Sequence, residues 1–300
     1  MQRELTITSK INIPHMNIPD FIHPEDAAAL KTLQAIPALS SVVKAFMNLG
    51  VEQLQTGLNL ATKIKLSHQQ LPKLYNILPP ICKQLGIKEP DFFLEMSPIP
   101  NAYAFGDTQT AITITSGLVE LMTEDELRAV VAHECGHIAC HHMLYHTIAA
   151  ILANASGIFE VMATLAAPIK YALFYWQRKS ELSCDRVAAY ITNAQTTASM
   201  LSRLAGGSKY ITAELDLAEM AGQADQYDAL CNSGLWNKTL QTYAVLEMTH
   251  PFTSVRIREM LLWIDSDEYK VLKANTKQCP HCGKTVDNSW LFCQHCGNKL

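Results

Sequence analysis

The chain lacks an excess of charge of either sign. Twenty-four Lys and Arg stand against 28 Asp and Glu, for a net charge of −4. That balance supplies no field for nucleic acid or an anionic membrane, so charge implies neither partner. The first residues, Met1-Gln2-Arg3-Glu4-Leu5, are polar and lack the apolar core of a signal peptide. Long apolar runs are also missing. The best candidate, Ile148 to Trp176, is broken by Gly157, Glu160, Pro168 and Lys170. Two full crossings would need roughly 40 apolar residues plus a turn. A helical hairpin in water is therefore expected, with shallow membrane contact through 148–176 as the alternative. No internal repeat is evident.

What the chain does have is a foldable composition, 48% apolar and 17% charged, over 300 residues. It also has nine cysteines. Four lie in tight pairs near the C-terminus, while Cys82, Cys135, Cys140, Cys184 and Cys231 are scattered. An odd scattered remainder without an export signal points to a reducing interior and a cytoplasmic location, peripheral to a membrane if 148–176 touches one.

Up to about Ile87 the sequence reads as helix with breaks. Pro24-Glu25-Asp26 opens one helix, Pro37 interrupts it, and Pro79-Pro80 marks another stop. Leu54, Leu58, Ala61 and Ile64 lie at helical spacing and read as a packing face. Short strands are expected at Phe92-Phe93-Leu94, Ala102 to Phe105 and Ala111 to Thr115, the last two joined across Gly106-Asp107 in a hairpin. Helix dominates again to about Ala274. The expected fold is mainly α with a small β-sheet, divided as an N-terminal helical region over 1–70, a catalytic domain over 71–274 and a cysteine module over 275–300.

The chemistry is concentrated in His133-Glu134-Cys135-Gly136-His137. Histidines at i and i+4 project from one helix face and can hold one Zn²⁺, and the glutamate between them can act as general base toward a water. Thr123 and Glu126 form a capping-box signal ahead of it, and Leu127, Val130, Val131 and Ile138 recur at helical spacing. A catalytic zinc takes three protein ligands. A straight helix would carry His141 away from the ion, and the metzincin positions for a glycine and third histidine are occupied by Cys140 and Met143. The third ligand is therefore expected from another segment. Glu181-Leu182-Ser183-Cys184-Asp185 offers two carboxylates at i and i+4, the first to bind the metal and the second to hold the spare imidazole N–H of a ligand histidine. Glu160 is the rival. Ala188 and Ala189 would allow close packing on the motif helix. Cys135 and Cys184 read as small buried residues.

The order H-E-C-G-H, E-L-S-C-D, then His250-Pro251 and Arg256-Ile257, with Asn101 to Gly106 upstream, resembles the HtpX-like and CAAX-prenyl-protease family of zinc metallopeptidases over about Leu71 to Trp263. The resemblance implies a mainly helical gluzincin fold with a small sheet, and Glu181 as third ligand. It also implies that His250 and Arg256 lie near the active site. His250 would donate to the developing oxyanion, and Arg256 would orient the site through carboxylates or substrate carbonyls. Many relatives carry clear transmembrane helices that this chain lacks. Asn101 and Ala102 would begin an edge strand on which an extended peptide substrate could add.

Cys279, Cys282, Cys293 and Cys296 form two C-x-x-C-G knuckles, a spacing that surrounds one Zn²⁺ with four thiolates and leaves no open position. About 25 residues cannot bury a sufficient core, so metal must supply the folding energy, on the order of 10 kcal/mol. His281 and His295, between the paired cysteines, should be exposed. Lys277, Lys284 and Lys299 are too few to favour nucleic acid, so a zinc ribbon contacting protein, with Trp290, Leu291 and Phe292 packing it or meeting a partner, is expected. The whole reads as a zinc endopeptidase acting on protein or peptide substrates, with one catalytic and one structural zinc. The other reading is a silent, zinc-stapled binding module that recruits partners through its ribbon.

Overall fold

The computed structural model describes residues 18–37, 39, 43, 50–153, 167–245, 252–274, 276–282, 285–287, 292–293 and 296–300. Glu160, His250, Trp290, Leu291 and His295 lie outside the described residues. Helix dominates, as expected: α1 spans Pro24–Gln34, α2 Val51–Thr62, α3 Leu78–Leu85, α4 Ser116–Leu121, α5 Glu124–Ala139, α6 Met143–Ala153 and α7 Ala167–Ile191. Beyond these come α8 Ala194–Gly206, α9 Leu217–Asn232, α10 Leu235–Ala244, α11 Thr253–Ile264 and α12 Asp267–Ala274, with single turns at Pro72–Tyr75 and Lys209–Thr212.

A four-stranded sheet is built from β1 Ile64–Lys65, β2 Asp91–Glu95, β3 Ala102–Phe105 and β4 Ala111–Thr115 in the order β1-β2-β4-β3. β2 runs parallel to β4 with Phe92 opposite Ile112, and β3 folds back antiparallel with Ala102 opposite Ile114. Gly106, at φ 96°, closes that hairpin, where a side chain would strike the Gln109 carbonyl at 2.1 Å. Phe92, Ile112 and Ile114 turn their apolar side chains into a core shared with Val130 and Val131 of α5, Val187 of α7 and Trp263 of α11. A second apolar cluster joins α1, α6 and α7 through Leu33, Ile148, Leu173, Phe174 and Trp176. The helices α6 and α7 pack on each other, the segment 154–166 between them lies outside the described residues, and among the described residues no helix is long and apolar enough to cross a membrane.

Two expectations are corrected. Pro79-Pro80 does not stop a helix; both prolines occupy the first turn of α3, where their missing N–H groups have no intrahelical partner to lose. Leu54, Leu58, Ala61 and Ile64 do not form a packing face. Leu54 is 65% and Leu58 48% exposed, the one buried residue of α2 is Asn59, and Ile64 belongs to strand β1. Helical spacing shows that a stripe exists, not that another element covers it.

The helix that matters most is α5, which is buried along nearly its whole length. It begins with the expected capping box: the Glu126 N–H donates to Thr123 Oγ1 at 3.3 Å, and the Thr123 N–H to the Glu126 carboxylate at 2.8 Å. Glu126 also accepts from Ser199 Oγ at 2.6 Å and Arg203 Nε at 2.7 Å, which fastens the helix start to α8. Burial opposes ionisation of Glu126, but these donors outweigh it and bring its pKa below the usual value. Its stabilisation is therefore complete above the unfolded carboxylate value and lost as pH falls through the folded one.

In its last turn, Gly136 touches α7. A Cβ built there meets the Cys184 Cα at 3.2 Å and the Cβ atoms of Cys184 and Val187 at 3.3 Å. Cys184, Val187, Ala188 and Ala189 are all fully buried, so α7 offers only small or slim side chains at this crossing. Gly136→Ala should be close to neutral in urea denaturation, since a shift of a few tenths of an ångström is offset by about 1 kcal/mol of helix propensity. Gly136→Val must displace α7 and should cost about 1–3 kcal/mol, with a matching loss of bound metal in the same preparation.

Candidate active site

The α5–α7 crossing sets two imidazoles of one helix against two carboxylates of the other. His133 Nε2 lies 3.3 Å from Glu181 Oε2, and His137 Nε2 lies 3.3 Å from Glu181 Oε1. All three residues are buried, Glu181 to 1% exposure. On the other side of His133, Nδ1 lies 3.1 Å from Asp185 Oδ1. With Nδ1 turned to Asp185, Nε2 is the nitrogen that faces Glu181. Arg256, from α11, closes the cluster. Its Nε and Nη2 bind the two oxygens of Asp185 at 2.8 and 2.6 Å, and its Nη1 reaches Glu181 Oε2 at 3.2 Å. Nη2 is also 3.4 Å from His133 Nδ1; both groups carry protons, so this is proximity rather than a bond.

The electrostatics favour a cation. Burial by itself disfavours a charged His133, but the Glu181 charge and the hydrogen bonds to Asp185 and Glu181 overcome it and push its pKa up to about 10. His137, without a direct carboxylate on its other nitrogen, is taken down to about 4 chiefly by burial. Burial likewise opposes the charge on Asp185, yet Arg256 holds it below the ordinary carboxylate value. Two buried carboxylates thus share one guanidinium, so the cluster calls for a second positive charge, which His133 carries as imidazolium or a bound cation would supply.

A zinc ion fits that donor set. Donors arranged tetrahedrally at about 2.0–2.1 Å from an ion stand about 3.3 Å apart, which is the spacing of Glu181 from both imidazoles. Cys184 Sγ also lies near the nitrogens of His133 and His137. Burial raises its thiol well above its ordinary pKa. Glu134, next to His133 on α5, is 7% exposed.

Other sequence-predicted residues fall as follows. Arg256 meets the carboxylates, one of the two routes expected for it. His141 is exposed, but not because a straight helix carries it off: α5 ends at Ala139, and His141 adopts φ 58° in the turn beyond. Cys135 and Cys184 are fully buried, as expected. Ala102 opens β3, which among the described residues pairs with β4 alone and packs beside α5. Asn101, just before it, is exposed and exchanges hydrogen bonds with Thr115. Sequence reasoning missed His142, whose Nδ1 lies 3.2 Å from His137 Nδ1, and Asp26 of α1, 3.1 Å from His142 Nε2. The doublet His141-His142 was the available signal for the first. Nothing local marks Asp26.

In the C-terminal module, β5 Thr276–Gln278 pairs antiparallel with β6 Thr285–Asp287. The four cysteine sulfurs converge, with Cys279 Sγ 3.7 Å from Cys296 Sγ and Cys282 Sγ 3.6 Å from Cys293 Sγ. Zinc–sulfur bonds of about 2.3 Å in a tetrahedron place sulfurs about 3.75 Å apart, so this set fits zinc as well. His281 is exposed and Phe292 is 55% exposed.

A helical domain with this arrangement on crossed helices defines a metallopeptidase of the H-E-x-x-H class. Residues 68–264 match Peptidase family M48, and the chain belongs to that family. Residues 275–300 match a zinc-ribbon domain. The chain is 35% identical over 272 residues to the plastoglobule-localized metallopeptidase 48, chloroplastic, of Arabidopsis thaliana, covering 87% of this chain and 78% of that one. It is 32% identical over 105 residues to a protease HtpX homolog of Sulfurihydrogenibium, covering 34% of this chain and 36% of the relative. It is also 36% identical over 92 residues to a protease HtpX homolog of Pyrococcus abyssi, covering 30% and 32%. The chain thus spans about a third of the length of these HtpX homologs. No solved structure matches.

Glu181→Ala should remove the metal held at this site, because two imidazoles from one helix leave an ion under-coordinated, whereas Glu160→Ala should not. Asp185→Ala should weaken metal affinity by roughly 10–100-fold through loss of the group that orients His133. Zinc content measured alongside circular dichroism checks all three; full occupancy in Glu181→Ala would overturn the ligand assignment.

Proposed function

We propose that the chain is a zinc-dependent endopeptidase with His133, His137 and Glu181 as catalytic metal ligands and a second, structural zinc on Cys279, Cys282, Cys293 and Cys296. The observation that carries this reading is the shared carboxylate: both Nε2 atoms face one oxygen each of Glu181 at 3.3 Å. When bound there, zinc supplies Lewis-acid polarisation of a carbonyl and lowers the pKa of water to roughly 7.

The chain's own residues supply the rest. Glu134 takes a proton from the attacking water and returns it to the leaving amine. Asp185 keeps the proton of His133 on Nδ1, and Arg256 holds Asp185 and Glu181 in register through the bonds described above. His250, whose place rests on the sequence alone, is assigned as donor to the developing oxyanion. Asn101 and Ala102 start the free edge of β3, where an extended peptide can add its backbone as a further strand. The division into 1–70, 71–274 and 275–300 is retained, with the ribbon as a contact point for a protein partner and nucleic acid disfavoured by charge. The scattered cysteines support a reducing, cytoplasmic setting, with membrane contact limited to 148–176.

A silent binding module is the weaker alternative, since a purely structural metal site has no use for a base at Glu134. Glu134→Gln should abolish cleavage of an unfolded peptide library, by at least about 10²-fold, while zinc content stays at the wild-type value; wild-type turnover would sink the mechanism.

Metal analysis of the purified chain should give two zinc ions, and a chain ended after Ala274 should retain one, because the two ligand sets share no residue. A shortened chain without metal would remove the catalytic site from the proposal.

A further inference from the structure

We infer that Asp26 and His142 are positioning residues for His137, forming a buried hydrogen-bonded chain that fixes which nitrogen of His137 is free to bind metal. The inference rests on His137 being a ligand, as proposed above. It adds to the site a residue from α1, which lies outside the segment that matches the peptidase family.

The chain of contacts is continuous. His137 turns Nε2 toward Glu181 and Nδ1 toward His142 Nδ1 at 3.2 Å. His142 Nε2 lies 3.1 Å from Asp26 Oδ2. The Asp26 carboxylate also accepts from Ser183 Oγ at 2.6 Å and from the Trp176 indole N–H at 2.9 Å. Asp26 and His142 are each 1% exposed, and Ser183 and Trp176 are fully buried.

Direction follows from what each group can donate. An ionised carboxylate only accepts, so Asp26 requires the proton of His142 on Nε2. With that proton on Nε2, His142 Nδ1 accepts the bond between the two rings, and His137 donates to it from Nδ1. The lone pair of His137 is thereby left on Nε2, facing Glu181. Asp185 does the same for His133 in one step; Asp26 does it for His137 in two.

The backbone is shaped to deliver His142. After α5 the His142 N–H donates to the His137 carbonyl at 2.9 Å and the His141 N–H to the Ile138 carbonyl at 3.2 Å, with His141 at φ 58°. This is a Schellman turn in which a histidine holds the left-handed position that usually goes to glycine. The reversal returns the next side chain to the helix it has just left.

A competing use of these histidines is a separate ion between His137, His142 and His146, whose nitrogens also lie close together. His146 is poorly suited to it. Ser180 Oγ gives its proton to the Gln177 carbonyl and so accepts from His146 Nε2 at 2.8 Å, while the Gln177 amide reaches His146 Nδ1 at 3.3 Å. Both ring nitrogens are engaged.

The test uses the full chain and zinc, with competition against a chromophoric chelator. Asp26→Asn replaces one accepting carboxylate oxygen with an amide N–H, where the carboxylate serves three donors. It should weaken the catalytic zinc about 10–100-fold, lower kcat with little change in KM, and leave the ribbon zinc in place. Trp176→Phe removes a donor from the same carboxylate without breaking the chain to His137. It should lower Tm yet keep zinc affinity within about threefold of wild type, and His141→Gly should keep it too. Equal losses in Asp26→Asn and Trp176→Phe would mean a merely structural cluster and overturn the inference. Wild-type zinc affinity in Asp26→Asn, while His137→Ala loses the ion, would also overturn it. Retention of the ion in His137→Ala would instead bring down the ligand assignment beneath it. Three zinc ions per wild-type chain would favour the separate site. Should Asp26→Asn not fold, nitrogen-15 spectra of the zinc-loaded wild type decide: His142 must carry its proton on Nε2 and His137 on Nδ1, and a His142 protonated on Nδ1 refutes the chain.

Discussion

Everything at the site depends on how closely α5 and α7 approach. Gly136 has no side chain, and the Cys184 backbone fills the space where one would be. The crossing falls between the two histidines of one helix and between the two carboxylates of the other. Both pairs are one turn apart, so contact at the centre brings His133 and His137 onto Glu181 and His133 onto Asp185 together. A branched side chain at Gly136 would act as a spacer on all three contacts, whereas a single methyl group needs a shift of only a few tenths of an ångström.

Holding those groups dry is costly. Glu181, Asp185 and Arg256 are all buried, and buried ion pairs recover their desolvation penalty only with good geometry and additional hydrogen bonds. The Arg256–Asp185 pair meets that condition through two parallel bonds. Glu181 meets the guanidinium at 3.2 Å and faces both imidazoles at 3.3 Å. The apolar core around Val131, Val187 and Trp263 and the second cluster around Trp176 supply the stability that the site itself does not.

The two metal modules use opposite strategies. In the peptidase domain the ligands are placed by large helices that pack without an ion, and the site can leave a position open for chemistry. Among the described residues of the ribbon, Cys279, Val286 and Cys293, with Leu300 packed against them, make up the buried apolar cluster. A module of about 25 residues buries too little apolar surface to fold without metal–sulfur bonds. This difference is the physical basis for proposing one set as catalytic and the other as structural.

The sequence alone determined what is governed by short-range spacing. The motif helix with its capping box, the strands at Phe92, Ala102 and Ala111, the hairpin at Gly106 and the paired cysteines all follow from neighbours within a few residues of each other. Glu181 and Asp185 were legible because i and i+4 positions share a helix face. Tertiary structure alone decided the rest. The Leu54 and Leu58 stripe is exposed because periodicity carries no information about a partner, and Pro79-Pro80 opens a helix because only the surrounding backbone fixes which side of a proline the helix lies on. Asp26 stands 111 residues before His137. No local pattern ties an aspartate in a first helical turn to an imidazole that distant; the packing of α1 against α7 and the left-handed turn at His141 bring them onto one hydrogen-bonded line.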